Sequence, residues 1–539
     1  MINNYNLYSL EIENKNENDS LKGKKKREKH NIRNINLIDF RYIFIPGVIV
    51  ISVLIFIFLF NAKVNEFTVK YEVNNVYNKV KLFDDSLTNM LKSIKTMSIN
   101  DKKIVASSYY KFNRKGVYTI KIKVKKNFVK LSSLFKNCYN LIEVDFSKFD
   151  FEKVNNISYL FFGCSSLVNV LWPHPLYSNS ITDISFLFYG CSSLENIYLS
   201  KFNTSSVNYM RNTFSYCSSV IEINLKNFDT SNVIDMEGLF DSCSSIKYIY
   251  NNFNTSKIQS MARMFKGCTS LMNVDLDSFR TENVIDFSFM FSSCHNLSDL
   301  NLKHFNTSQA KLMNQMFRDC SLLYSLDLSN FNTNNVEDIY KMFSGCNSLG
   351  NLLINSFNTS KITNMHNLFF NCFHLYDINL TSFDTSNVIT MSGMFRNCYR
   401  LNSINMSKFN FEKTVYLDNM FNNCSRLYSV IFNNNIKNSL SKVSYMDNMF
   451  KSCERLSSID LGNLIINHVL NINGLFEDCY YLKYINLSNF ETSNLISYQN
   501  AFKEINIRGI FIINSSYFNI NILNTLPKNW KIIDANGNI

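Results

Sequence analysis

Fourteen cysteines and seven histidines are the side chains of this 539-residue chain best suited to nucleophilic, redox or metal chemistry. Their spacing decides between those uses. From Cys138 to Cys479 the cysteines recur every 26 residues, with single intervals of 25, 27 and 29. Phe stands three positions before each one, and Leu, Val or Ile three positions after. A metal site needs ligands a few residues apart, and no second Cys or His recurs within four residues of these. An even number of thiols allows a disulfide framework. In a regular ladder, however, each cysteine has two equivalent neighbours. If return helices pack about 8–10 Å apart, neighbouring Cα atoms stand beyond the roughly 7 Å that a bridge spans. The favoured reading is a small apolar side chain filling a tight place against the next repeat, with alternate-rung disulfides as the alternative.

The histidines share no repeat position, and His366 and His374, eight apart, are too loosely placed for a metal pair. A Gly-rich phosphate loop, GxSxG and HExxH are all missing. The sequence therefore predicts no catalytic residue, no cofactor and no metal, and a protein that is not an enzyme.

The elements that hold the cysteines follow from two periods within one unit. In "SLLYSLDLSNF" (321–331), Leu326 and Leu328 flank Asp327 with the period of two of a half-buried strand. In "NVEDIYKMFSGC" (335–346), Val336, Ile339, Met342, Phe343 and Cys346 recur at three and four, which predicts a helical face. "NTS" or "DTS" between them supplies turn and cap oxygens. A lone unit cannot bury both faces, so units must stack. The fold class expected is an α/β solenoid of about 14 units, preceded by a membrane helix and a small β module.

The pattern LxxLxL followed by a return segment resembles a leucine-rich repeat. Its form "LxxLDLSNFNTSNVxxMxxMFxxC", running from about Leu131 to Phe502, resembles the BspA-type leucine-rich repeat surface proteins. That resemblance implies adhesion or host and matrix interaction. Phe202, Phe228, Phe305, Phe331, Phe357 and Phe383 stand where many such repeats carry Asn, so stacked rings are expected to replace part of a polar ladder.

Residues 42–60, "YIFIPGVIVISVLIFIFLF", are uncharged and long enough at about 1.5 Å per residue to cross about 30 Å of hydrocarbon. A cleaved signal peptide fits less well, because the lead is 41 residues and the exit offers no good small-residue site. Lys22, Lys24, Lys25, Lys26, Arg27, Lys29 and Arg33 precede the span, which places the N-terminus in the cytoplasm and the repeats outside. The organisation expected is a disordered basic tail (1–41), a signal anchor (42–60), a basic β module (62–130), the repeat array (131–505) and a closing cap (506–539).

The formal net charge of +12 is uneven. Residues 62–130 carry sixteen basic and five acidic groups, while everything after 130 carries thirty and thirty-two. In "GVYTIKIKVKK" (116–126), Lys121, Lys123 and Lys125 form one face of a strand, either simply solvated or binding anions such as lipid headgroups or acidic glycans. On the array, Asp275, Asn301, Asp327, Asn379 and Asn405 share one outward register, flanked by Glu143, Glu222, Asp299 and Asp377. They are the candidate binding face, for an extracellular protein or glycan and not for nucleic acid. A receptor or sensor ectodomain, or an intracellular scaffold with reversed topology, are the competing roles.

Overall fold

The computed structural model describes residues 65–173, 180–199, 202–432 and 440–535. Residues 63–539 belong to one compact unit. It is a β-solenoid of about 14 turns, each contributing roughly 26 residues.

The chain enters through antiparallel strands. These are β1 (Glu66–Val73), β2 (Val80–Lys81), β3 (Ile94–Ile99), β4 (Lys102–Ile104), β5 (Tyr109–Tyr110) and β6 (Gly116–Val124). The first two array strands are β7 (Leu141–Asp145) and β8 (Asn169–Leu171), and together they make a six-stranded sheet ordered β4-β3-β6-β1-β7-β8. Because β1 pairs with β6 on one side and β7 on the other, the entry module and the array share one sheet. This covers the first turn, whose Phe135 ring meets Phe67 and Phe83.

From there on, strands are short and parallel, in matched register: Leu326 sits opposite Leu352, and Ile404 opposite Val430. The far end closes on four parallel strands, Ser458–Asp460, Tyr484–Asn486, Arg508–Ile513 and Asn529–Asp534. The closing turn puts Ile505 where a cysteine would stand, as the sequence indicates, and buries it. Gly509 is required there, since a Cβ would lie 2.7 Å from the Trp530 ring that seals the end.

The return helix is the main correction. Among the described residues the one α-helix is Thr88–Leu91, in the entry module, and the segment before each cysteine is a run of tight turns. The cause is backbone conformation. In every unit the residues five and one before the cysteine have positive φ, as in Gly393 (61°) and Asn397 (65°) before Cys398. A left-handed residue twice in five positions breaks a right-handed helix. Hydrogen bonding then splits by parity. The N–H groups of Met391, Gly393, Phe395 and Asn397 donate to Tyr416, Asp418, Met420 and Asn422 of the next turn, at 2.8–3.0 Å. Met394, Arg396 and Cys398 close local turns onto Met391, Gly393 and Phe395. Spacing of three and four thus arises from two successive four-residue turns, each placing its first and fourth side chains in the interior, Met391 with Met394 and Phe395 with Cys398.

The aromatic stack also lies elsewhere than expected. In the column of Phe202 and Phe383, Phe357 and Phe383 stack at 6.5 Å. The continuous stack is the phenylalanine three before each cysteine, from Phe135 to Phe502, with ring centroids 5.2–6.2 Å apart. A polar ladder exists too, made by threonine. The Thr307 hydroxyl donates to the Asn332 carbonyl at 3.0 Å and accepts from the Asn332 N–H at 2.8 Å.

All fourteen cysteines are free and buried. The helix-spacing argument against disulfides does not apply, because turns stack at about 4.8 Å. What separates the sulfurs is direction: parallel Cβ atoms keep that spacing, outside the roughly 3.5–4.5 Å of a disulfide. Each thiol from Cys164 onward instead donates to the carbonyl of the phenylalanine in the preceding turn, as Cys346 Sγ does to Phe317 O at 3.0 Å. Burial pushes the Cys138 and Cys243 thiols up to about 12.

Among the described residues no helix is long and apolar enough to cross a membrane. The tail at 1–41 and the span expected at 42–60 lie outside the described residues.

Candidate interaction surface

The outward segment of each turn, among the described residues a β-strand in ten of the fourteen, has one face in the core and one in solvent. Taking Cys320 as origin, Leu326 and Leu328 (sixth and eighth after it) are buried, while Tyr324 and Ser325 (fourth and fifth) and Asp327 (seventh) face outward. The same alternation of burial recurs along the array, and where strands pair in parallel the matched register preserves it.

The five predicted face residues all occupy the seventh position. Asp275, Asn301, Asn379 and Asn405 are exposed and Asp327 is half-buried. They also have a backbone role absent from the sequence reading. Each accepts, through Oδ1, the N–H two residues on: Asp277 at 3.0 Å, Lys303 at 3.3 Å, Ser329 at 3.1 Å, Thr381 at 3.0 Å and Ser407 at 3.0 Å. These Asx turns close the outward segment, which is a strand at Asp327 and Asn405. Hydrogen bonds from the Ser329 hydroxyl and N–H hold the Asp327 carboxyl below the usual aspartate value. The fifth position differs: among the described residues no hydrogen bond or ion pair involves the Asp299 or Asp377 side chain, and both are exposed.

Charge on this face has one sign. The fifth and seventh positions of the fourteen turns hold eight carboxylates, from Glu143 to Asp460, and no Lys or Arg. Glu143 is neutralised by Lys70 at 2.9 Å. The rim is mixed, with Asp277 and Lys303 beyond the strands and Arg400 and Arg426 before them.

A ridge runs beside the acidic rows at the fourth position. Val168, Ile221, Met272, Tyr324, Tyr376 and Tyr428 are 48–66% exposed there, and they belong to every second turn. The turns between carry Glu195, Lys247, Ser298, Gly350 and Asn402 at that position. Gly350 leaves room for its neighbour, with Cε1 of Tyr376 standing 3.7 Å from where a Cβ would be. This ridge was missed in the sequence, although intervals of 51–53 residues between these six residues are readable there.

The lysine face of β6 gathers around one carboxylate. Lys121 and Lys123 reach Glu66 at 3.3 and 3.7 Å, and Lys148 joins at 3.7 Å, although Glu66 is only 5% exposed. One buried carboxylate thus offsets one of their three positive charges. Lys125 lies just past the strand and is exposed. No group of three or more His, Cys, Asp or Glu side chains is arranged for a metal among the described residues.

A family model described as "Mycoplasma protein of unknown function, DUF285" matches residues 129–248, 174–274, 237–353, 350–440 and 428–509. No curated protein matches the chain. Solved structures similar to it include a TLR13–ssRNA13 complex, at 15% identity over 67% of this chain and 49% of that one, with a TM-score of 0.23. Another is the functional domain of InlJ from Listeria monocytogenes, which includes a cysteine ladder, at 14% identity, 71% and 68% coverage and a TM-score of 0.19. The chain spans about half the length of the TLR13 chain it matches.

Proposed function

Because the chain belongs to the DUF285 family, whose description states no activity, we propose a role read from its surface. It is a membrane-anchored surface protein whose solenoid binds a protein or glycan and catalyses nothing. The observation that carries this reading is the outward face, which holds eight carboxylates and no Lys or Arg at its fifth and seventh positions beside a row of exposed apolar side chains, on turns hydrogen-bonded one to the next. The uncharged stretch at 42–60, with its preceding basic block, supports an anchor with the array outside the cell. The resemblance of the repeat to BspA-type surface proteins supports adhesion as the purpose.

Two measurements test the proposal. Protease added to intact cells should remove the array and leave a tag within residues 1–41 intact; the reverse pattern overturns the topology. Asp299→Lys with Asp377→Lys should abolish attachment of cells to their substratum without changing the circular dichroism melt. Unaltered attachment overturns the assignment of binding to this face.

A further inference from the structure

The ridge and the acidic rows, taken together, specify a class of partner. This inference rests on the sheet face being the binding surface and adds what binds there. From Met272 to Ile431 the fourth, fifth and seventh positions contain Asp275, Asp299, Asp327 and Asp377 and no basic residue. Such a strip repels nucleic acid, acidic glycans and anionic lipid, and attracts cations. Beside it stand Tyr324, Tyr376 and Tyr428, exposed by 66, 53 and 53%. Exposed tyrosine rings offer faces to cations and flat apolar surface to proline rings.

Their period narrows the choice. Tyrosines on every second turn stand about 9.6 Å apart at about 4.8 Å per turn. A ligand lying along the solenoid must repeat its own side chains at that interval. In an extended strand, side chains of one face repeat at about 6.6–6.8 Å. In an α-helix the i and i+7 positions are about 10.5 Å apart. A polyproline II helix repeats every three residues, about 9.3 Å. An extended strand falls well short of that interval, and of the two helices polyproline II is the one that lays flat proline rings against tyrosine faces. Gly350, between Tyr324 and Tyr376, lets the Tyr376 ring lie over the backbone, its Cε1 3.7 Å from where a Cβ would be, and the next turn carries the polar Asn402.

We propose that the ridge of Tyr324, Tyr376 and Tyr428 and its acidic border bind a cationic polypeptide in the polyproline II conformation, with Lys or Arg at every third residue. Prolines lie on the tyrosine rings, and the basic side chains reach the carboxylates of Asp299, Asp327 and Asp377. Main-chain rigidity of the ligand lowers the ordering cost of binding.

The test uses the full chain in detergent and two labelled peptides of one composition. In one, Pro-Pro-Arg is repeated five times; in the other, the five arginines are contiguous and flanked by prolines. Fluorescence anisotropy should give the periodic peptide at least tenfold tighter binding. Replacing all three tyrosines by Ser should weaken it at least tenfold, and these exposed rings contribute little to the core. Asp299→Asn with Asp377→Asn should weaken it and flatten its salt dependence, with the melt unchanged. Equal affinity for both peptides, no binding of either, or full binding to the tyrosine variant each overturn the proposal. Binding of a neutral oligosaccharide in place of the peptide, lost in the tyrosine variant, also overturns it and makes the ridge a glycan site. If the peptides fail while Asp299→Lys with Asp377→Lys still abolishes attachment, the ligand class falls and the sheet-face reading stands.

Discussion

The thiol of Cys346 donates to the carbonyl of Phe317, one turn before it, at 3.0 Å. The same carbonyl also accepts the Cys320 N–H at 3.1 Å, so both of its lone pairs are used inside the core. Cysteine at this position combines small volume, apolar character and a donor that points back along the stack. Serine would bring a stronger donor with a larger cost of burial, and alanine no donor at all.

Packing should dominate that hydrogen bond. Phe317→Ala or Phe343→Ala removes a ring stacked on both sides and should cost about 3–5 kcal/mol. Cys346→Ala leaves the Phe317 carbonyl with one partner and should cost about 1 kcal/mol. Urea unfolding followed by tyrosine fluorescence and circular dichroism measures both. Equal, severe losses, together with a parent protein that reductant destabilises, would mean that the thiols are bridged.

Alkaline pH should unfold the array. Burial raises the thiol values above the ordinary 9.0, to about 12 for Cys138 and Cys243, so the folded state retains protons that the unfolded state releases. That stability is complete below pH 9 and is lost as the pH rises towards 12. In native protein at pH 8 all fourteen thiols should be silent to a thiol reagent, and all should react in denaturant. Rapid native labelling at pH 8 would contradict their burial.

At the closing end, acid should act through Glu477. Burial alone would raise its carboxyl, but hydrogen bonds from Lys451 at 2.8 Å and Lys503 at 3.3 Å outweigh it and hold the value below the ordinary 4.5. Its contribution is therefore present above pH 4.5 and lost as the pH falls through the lowered value. Glu477→Gln should destabilise the last turns by about 1 kcal/mol, allowing for solvent screening at the half-exposed Lys503. Amide exchange in residues 472–505 reads the effect locally, and exchange unchanged in that segment would refute it.

Backbone conformation gives a further expectation. Gly345 has a φ of 77°, and a Cβ there would stand 2.1 Å from Asp319 Oδ1. Gly345→Val should cost at least about 1–2 kcal/mol. Gly345→Asn, a residue found at the same position in the turns of Asn371, Asn397 and Asn423, should be milder. In those turns the amides form their own ladder, Asn397 to Asn371 at 2.7 Å and Asn423 to Asn397 at 2.9 Å. A thermal melt in which Val and Asn behave alike would remove left-handed strain as the cause.

The repeat, its strands and its outward register were legible because period-two alternation has one reading in a stacked array, as Leu326-Asp327-Leu328 demonstrates. The return segment was misread because Val336, Ile339, Met342 and Phe343 have the spacing of a helix whether the chain turns continuously or in two tight steps. The distinguishing signal lay between the apolar residues. The position before each cysteine is nearly always Gly, Asn, Ser or Asp, the types that enter left-handed conformations. The ridge of Tyr324, Tyr376 and Tyr428 escaped notice because its period spans two units, and the eye aligns one. The counter-ion role of Glu66 joins residues 55 to 82 apart, which no local pattern reveals.

Stacking by hydrogen bonds between successive turns also sets how the molecule bears load. Tension applied between its two ends runs along the stack, so the bonds at the outermost turn are opened one after another and not sheared together. Each turn that peels away replaces a rise of about 4.8 Å with 26 residues of free chain, some 86–94 Å at full extension. A solenoid pulled in this way lengthens in steps, and those steps dissipate a sudden jerk before it reaches whatever holds either end.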